Sequence, residues 1–470
     1  MRPRFLLVIA GFLALSVTLT AQQSKPPAGK PPEGKAGDKP AADAGKPAFE
    51  PFKDGPLGDD KDKPTPTDMR AFRELTTGKQ PANTPAAQQV MDKMARWLLY
   101  RLTRLEVQEG RESGGIPQVL EELFGQTGAF PRISSVEADP EELARRQLQR
   151  QFVREFRIVA TPHIRKLLQI KDPVVRVNAA RVLHRFAEYG EEEVADECTR
   201  IIENPYEHDG VRHWAIKALA EVFKKQVGDS TFNQPSVPPA RLQRMENGAN
   251  AIVKWLKASC EMPAPKVNGL RDDEKDGLRF VRKEAIRALT ITRRPWAIEK
   301  EVAGQIRRDG PIAGILFDIM TGDENKISPE PSWEERVEAA HGICFLEIRA
   351  GSNYQPDFAV EGMGRFIAAL AAAANDDKSR QQERWRYFAS HLQGGGDNLR
   401  GMLERTPPSA LPAPTATYMK KALDEVRSAF SNLNDPMQLP QAAQNLNNWL
   451  NQNRAPSREL YRAAAPAAGG

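Results

Sequence analysis

Lys171-Asp172-Pro173-Val174-Val175-Arg176-Val177-Asn178-Ala179-Ala180-Arg181-Val182-Leu183 is the stretch that decides the fold class of this chain. Asp172 offers a carboxylate to the unpaired N–H groups that open a helix. Pro173 suits the first helical turn, where its missing donor costs nothing. Val175, Ala179, Val182, Leu183 and, further on, Phe186 recur at helical spacing and make one apolar face, and Gly190 follows as a stop. This reads as a turn and an amphipathic helix.

The frame inside that helix, Arg-x-x-Ala-x-x-x-Leu or Ile, recurs downstream. It runs through Arg176, Ala179 and Leu183; Arg212, Ala215 and Leu219; Arg282, Ala285 and Leu289; and Arg336, Ala339 and Ile343. The offsets between copies are 36, 70 and 54 residues, so the second spans nearly two periods and the third breaks the rhythm. An alanine in each copy lets neighbouring helices approach closely, while leucine and valine fill the seam between them.

These residues resemble the HEAT-repeat family. The resemblance is closest over Asp172 to Leu183, weaker over Val211 to Leu219 and Val281 to Leu289, and weakest over Arg336 to Ile343. It covers residues 140–350, with a period shorter than the usual ~40 residues. It implies an all-α fold, an α-solenoid of stacked antiparallel helix pairs. It also implies a ladder between turn aspartates and helix-start arginines: Asp172 with Arg176, Asp209 with Arg212 and, more loosely, Asp276 with Arg282.

The flanks read differently. Residues 1–21 have the form of a secretory leader, with Arg2 and Arg4 ahead of an apolar run from Phe5 to Leu15 and Ala21 at the cut. An uncleaved N-terminal anchor is the alternative. Residues 22–66 hold ten prolines, six glycines, eight lysines and eight acidic residues, too little apolar surface to offset the entropy of ordering, so a disordered linker is expected. A helical-repeat domain is expected over 67–405, a proline- and alanine-rich linker over 406–416, C-terminal helices over 417–453 and a disordered tail over 454–470. Within the domain we expect a helix kinked or divided at Pro162, helices over Trp296 to Arg308 and Asp377 to Leu392, and a stop at Gly394-Gly395-Gly396. No stretch reads as a convincing strand.

The chain carries 67 basic against 62 acidic residues, a near balance that argues against nucleic acid or acidic lipid as the partner. Cys198, Cys260 and Cys344 sit among apolar residues and read as small core residues. The six histidines form no HExxH motif; His208 and His213 straddle a turn and are the one pair placed to approach each other. With no Walker loop, dinucleotide fingerprint or nucleophile elbow, no cofactor, metal or catalytic residue is expected. The seven tryptophans are spread one per helix, a pattern that suits packing better than a sugar platform.

Basic side chains are the sharper lead. Arg146, Arg150 and Arg154, with Arg157, share one arc of their helix. On the frame helices Arg181 and Arg185, His213 and Lys217, and Lys283 and Arg287 take non-core positions. In a solenoid such helices line the concave side, so these groups could converge on an anionic partner. The plainer alternative is a solvated surface balanced by Glu188, Glu221 and Glu284. The expected function is an exported, non-catalytic scaffold that binds protein or an anionic envelope polymer. Two alternatives stay open: an exported hydrolase or lyase whose site has no local motif, and a self-associating structural protein of the envelope.

Overall fold

The computed structural model describes residues 63–111, 114–124, 139–229, 238–302, 305–323, 326–347, 353–376, 382–405, 411–432 and 438–462. The expected leader, all but the last four residues of the expected linker, and residues 463–470 lie outside the described residues. Among the described residues, no helix is long and apolar enough to cross a membrane.

Helix starts follow the local signals. Thr65 and Asp68 form a reciprocal capping box at the head of α1 (Pro66–Thr76). Thr84 and Asp139 cap α2 (Pro85–Arg101) and α5 (Pro140–Leu168), each with proline in the first turn. Between them lie α3 (Leu105–Gln108) and α4 (Gly115–Phe124). In α6 (Pro173–Glu188) Asp172 accepts the Val174 N–H at 2.8 Å. Then come α7 (Val194–Glu203), α8 (Asp209–Asp229), α9 (Pro239–Cys260), α10 (Ala264–Asn268), α11 (Asp272–Thr292), a hairpin of β1 (Ile298–Val302) and β2 (Gln305–Asp309), and α12 (Ile312–Thr321). The last are α13 (Trp333–Cys344), α14 (Pro356–Asp376), α15 (Gln382–Arg405), α16 (Ala413–Asn432) and α17 (Leu439–Gln452).

The four copies of the frame fall on α6, α8, α11 and α13. These helices pack in that order, each against the next, and α15 follows α13. A second series runs alongside: α7 against α9, α9 against α12, α12 against α14, and α14 against both α16 and α17. The frame alanines Ala179, Ala215, Ala285 and Ala339 are fully buried, and Leu183, Leu219, Leu289 and Ile343 nearly so. The three cysteines are free and buried.

The frame arginines are mostly buried, and their partners differ from the implied ladder. Arg176 pairs with Glu207, just ahead of α8, while Asp172 turns its oxygens to the Val174 N–H and the Gln108 amide. Arg282 pairs with Glu335 in the first turn of α13, Nε to Oε1 at 2.6 Å, with both side chains essentially inaccessible. Asp276 instead pairs with Arg279. Arg212 alone keeps the expected partner, Asp209, at 2.6 Å on its own first turn. Asp172 and Asp276 are each engaged by other groups close by, and the bridges from Arg176 and Arg282 go to glutamates near the next frame instead.

Four other expectations are corrected. Residues 296–308 are not a helix: β1 and β2 pair antiparallel, Ile298 with Asp309 through Val302 with Gln305, and Glu299 faces Arg308 across the pair at 2.7 Å. The cross-strand pairing of Glu299 with Arg308 favours the two strands. Trp296 therefore lies off any helix and packs on Tyr461. Residues 377–381 of the expected Asp377 to Leu392 helix lie outside the described residues, and from Gln382 helix α15 runs through Gly394 to Gly396. A Cβ on Gly395 would sit 3.1 Å from His341 and 3.2 Å from the Cys344 sulfur, so that glycine admits α13 rather than ending a helix. Helix α5 continues past Pro162, because Phe156 and Ala160 before it and Ile164 and Leu167 after it are buried in one core. Finally, residues 454–462 of the expected disordered tail fold back. Ser457 bonds Asp357, the Ala455 N–H bonds Glu361, and the Tyr461 hydroxyl donates to the Pro295 carbonyl and accepts from Gly314.

Candidate binding face

The non-core positions of α6, α8 and α11 meet along one face. Trp214 of α8 is half-buried, with the Arg181 guanidinium 5.2 Å and the Lys217 ammonium 4.7 Å from its ring centroid. His184 and His213 meet the same ring edge-on at 5.3 and 5.4 Å. His213 in turn lies 4.9 Å from Phe280 of α11, a ring left 50% exposed, and Lys283 approaches Phe280 at 5.4 Å. Helical geometry explains these contacts: Trp214 and Lys217, like Phe280 and Lys283, are three residues apart and share a face. Each cation meets the negative face of a ring, an interaction worth about 0.5–1 kcal/mol at exposed sites. Among the described residues, neither lysine has a carboxylate within ion-pair distance.

Beside this strip lies a surface cavity of about 320 Å³ lined by Lys217, Glu221, Glu284, Arg287, Glu338, His341 and His391, among others. Arg287 spans two carboxylates, reaching Glu338 and Glu284 at 2.8 Å each. Glu338 also faces the His391 Nε2 at 3.1 Å, and the His391 ring stacks on His341 with centroids 3.8 Å apart. Burial alone would raise the Glu338 carboxyl, but the hydrogen bonds from His391 and Arg287 outweigh it and hold the group down at about 2. Burial pushes His341 down to about 4, with His391 adding repulsion, and burial does the same to His213.

Glu338, His341 and His391 bring three metal-ligand atoms within 4.8 Å, a cluster the sequence reading does not contain. The site suits a metal poorly. The Arg287 guanidinium already occupies Glu338, and the near-parallel imidazole rings direct their in-plane lone pairs side by side rather than onto one point. Acid–base chemistry near neutrality is equally ill served, because a base held near 4, or a carboxylate near 2, has little affinity for a proton there. The arrangement is a charge network that links Arg287, Glu284, Glu338 and His391.

Of the candidate residues, Arg181, His213, Lys217, Lys283 and Arg287 come together on this face. Arg185 lies on the same helix as Arg181 and pairs with Glu188. Arg146, Arg150 and Arg154 belong to α5, which packs on α1, α2 and α6; Arg146 pairs with Glu142, Arg154 with Glu155, and Arg150 is exposed. His208 and His213 take different partners, His208 accepting the Gly210 N–H while His213 packs between Trp214 and Phe280. The residues missed by the sequence reading are Trp214, Phe280, Glu338, His341 and His391. The i, i+3 pairing of an aromatic with a lysine, and of Glu338 with His341, was the available signal; that α15 places His391 opposite was not readable.

No protein-family model matches the chain, and no curated protein or solved structure matches it.

The low-lying histidines make a pH prediction. A histidine whose folded pKa is depressed stabilises the fold above its ordinary value of 6.5, and that stability is lost as pH falls toward 4. Thermal stability is expected to drop between pH 6.5 and 4, with His213 and His341 together contributing about 2–3 kcal/mol after allowance for solvent at both rings. Below 4.5 the Glu338 contribution follows. The melting temperature of a His213→Gln/His341→Gln variant should fall less steeply over that window; an unchanged slope would refute the assignment.

Proposed function

We propose that this chain is a non-catalytic scaffold, an α-solenoid of HEAT-like helix pairs, whose α6–α8–α11 face docks an acidic protein segment carrying apolar residues. The ordered packing of the four frame helices, beside the second series α7, α9, α12 and α14, supports the solenoid reading. The observation that carries the binding role is the chain of contacts Arg181–Trp214–His213–Phe280–Lys283. Here lysines border exposed ring surface, a combination that offers an acidic segment both charge and apolar contact. The leader-like pattern of residues 1–21 supports a partner outside the cytoplasm or in the cell envelope. An enzyme is less well supported, because the adjoining cavity gathers its carboxylates onto Arg287 and His391 rather than presenting a paired nucleophile and base.

The test compares a glutamate–tyrosine copolymer with polygalacturonate, an anionic polysaccharide, as fluorescent probes. Wild type should prefer the copolymer, and the preference should weaken with salt. Lys217→Glu/Phe280→Ala/Lys283→Glu should weaken copolymer binding at least tenfold while leaving the circular dichroism unchanged. Preference for the polysaccharide, or equal binding by the variant, would overturn the proposal.

A further inference from the structure

The fourth copy of the frame departs from the other three at its arginine. Arg176, Arg212 and Arg282 each meet a carboxylate, from Glu207, Asp209 and Glu335. Arg336, half-buried at the start of α13, meets none within ion-pair distance among the described residues. Its Nε and Nη2 donate to the Met320 and Thr321 carbonyls, at 3.0 and 3.2 Å, and its guanidinium lies over the Trp333 and Phe366 rings at 4.3 and 5.3 Å. Those two carbonyls belong to the last turn of α12, whose dipole offers only a partial negative charge. Burial depresses the Arg336 pKa, with the charge of Glu330 acting against it.

Arg336 lines a cavity of about 430 Å³ formed by α12, α13, α14 and residue 454. Phe317 and Phe358, stacked with centroids 5.3 Å apart, and Phe366 supply its apolar wall. A Cβ on Gly362 would lie 2.3 Å from the Phe317 ring, so glycine lets that ring lie flat on α14. Arg365 and Arg454 also line the cavity and share a single carboxylate: Glu361 Oε1 accepts from both, and its Oε2 takes the Ala455 N–H. The cavity lining thus holds three guanidinium groups and one carboxylate, and that carboxylate is taken by Arg365, Arg454 and the Ala455 N–H. Cavities of roughly 300–1,000 Å³ hold small ligands, and guanidinium groups bind carboxylates with paired, charge-assisted hydrogen bonds.

We infer that this cavity binds a small carboxylate with an aromatic or short aliphatic body, its anion on Arg336 and its apolar part against Phe317, Phe358 and Phe366. The site is independent of the proposed docking face and stands or falls separately from it. The probe is 3-phenylpropanoate, measured by calorimetry on the full chain beside the neutral 3-phenylpropanol and inorganic phosphate. The carboxylate should bind at least tenfold more tightly than the alcohol or phosphate. Arg336→Met should remove at least tenfold of that affinity while leaving alcohol binding unchanged. Ala369→Trp, at an exposed position on the cavity rim, should weaken both organic probes and keeps the test open if the arginine variant does not fold. Failure of the carboxylate to bind, equal binding of the alcohol, equal binding of phosphate, or an unchanged Arg336→Met or Ala369→Trp variant would each overturn the assignment.

Discussion

Arg282→Met is expected to destabilise the fold by about 3–5 kcal/mol, the usual cost of removing one partner of a buried ion pair. The side chain is inaccessible, its Nε sits 2.6 Å from Glu335, and its two terminal nitrogens donate to the Pro329 carbonyl at 3.2 Å. Methionine keeps most of the apolar stem but strands the Glu335 charge, whose one remaining bond is to the Ser332 N–H at 2.7 Å, and leaves the Pro329 carbonyl unpaired. Adding Glu335→Leu removes the stranded charge, so the double variant should be less destabilised than the two single variants summed. It should not recover fully, since the Ser332 N–H and the Pro329 carbonyl still lack partners. Urea unfolding followed by circular dichroism reads all three variants. A loss under 1 kcal/mol for Arg282→Met would mean that water reaches the pair.

Leu219→Ala is expected to cost about 2–5 kcal/mol, the range for deleting a buried leucine when the surroundings close only partly over the cavity. Leu219 is fully buried on α8, and a Cβ on Gly248 of α9 would meet both its methyl groups at 3.1 Å. That contact gives the prediction a second arm. Gly248→Ala gains about 1 kcal/mol of helix propensity, but in the wild type the new methyl crowds Leu219. In the Leu219→Ala background the crowding is gone and part of the cavity is filled, so the same substitution should be more favourable there. Equal effects of Gly248→Ala in the two backgrounds would show that the two side chains do not share a contact.

Both predictions rest on positions that the repeated frame marks in the sequence. Arginine, alanine and leucine at fixed helical offsets are a local code, and helix periodicity alone assigns Ala179, Ala215, Ala285 and Ala339 to the seam. The N-caps were equally legible, because Thr84, Asp139, Asp172 and Ser332 act on N–H groups within three residues of themselves. Where the sequence reading failed, the deciding partner lay far along the chain. Gly395 reads as a stop until His341 and Cys344 are seen to need the space, and Pro162 reads as a break until the buried residues on both sides of it are seen in one core. Tyr461 sits in a stretch that reads as a disordered tail, yet its hydroxyl ties Pro295 to Gly314.

The candidate sites divide in the same way. The non-core places of Arg181, Lys217 and Lys283 were readable from helical phase, and so was the i, i+3 spacing of Trp214 with Lys217. That His213 bridges Trp214 to Phe280 depends on the packing of α8 against α11, residues 67 apart in the chain. The contrast among the frame arginines is sharper still. The sequence by itself determined that four arginines stand at the same offset from a buried alanine and leucine or isoleucine on four helices, since that is a matter of short-range pattern. Only the tertiary structure decided that Arg176 and Arg282 meet the distant Glu207 and Glu335 while Arg336 meets two carbonyls and a cavity. Coulomb energy and desolvation depend on distance in space, and residue order alone does not specify it.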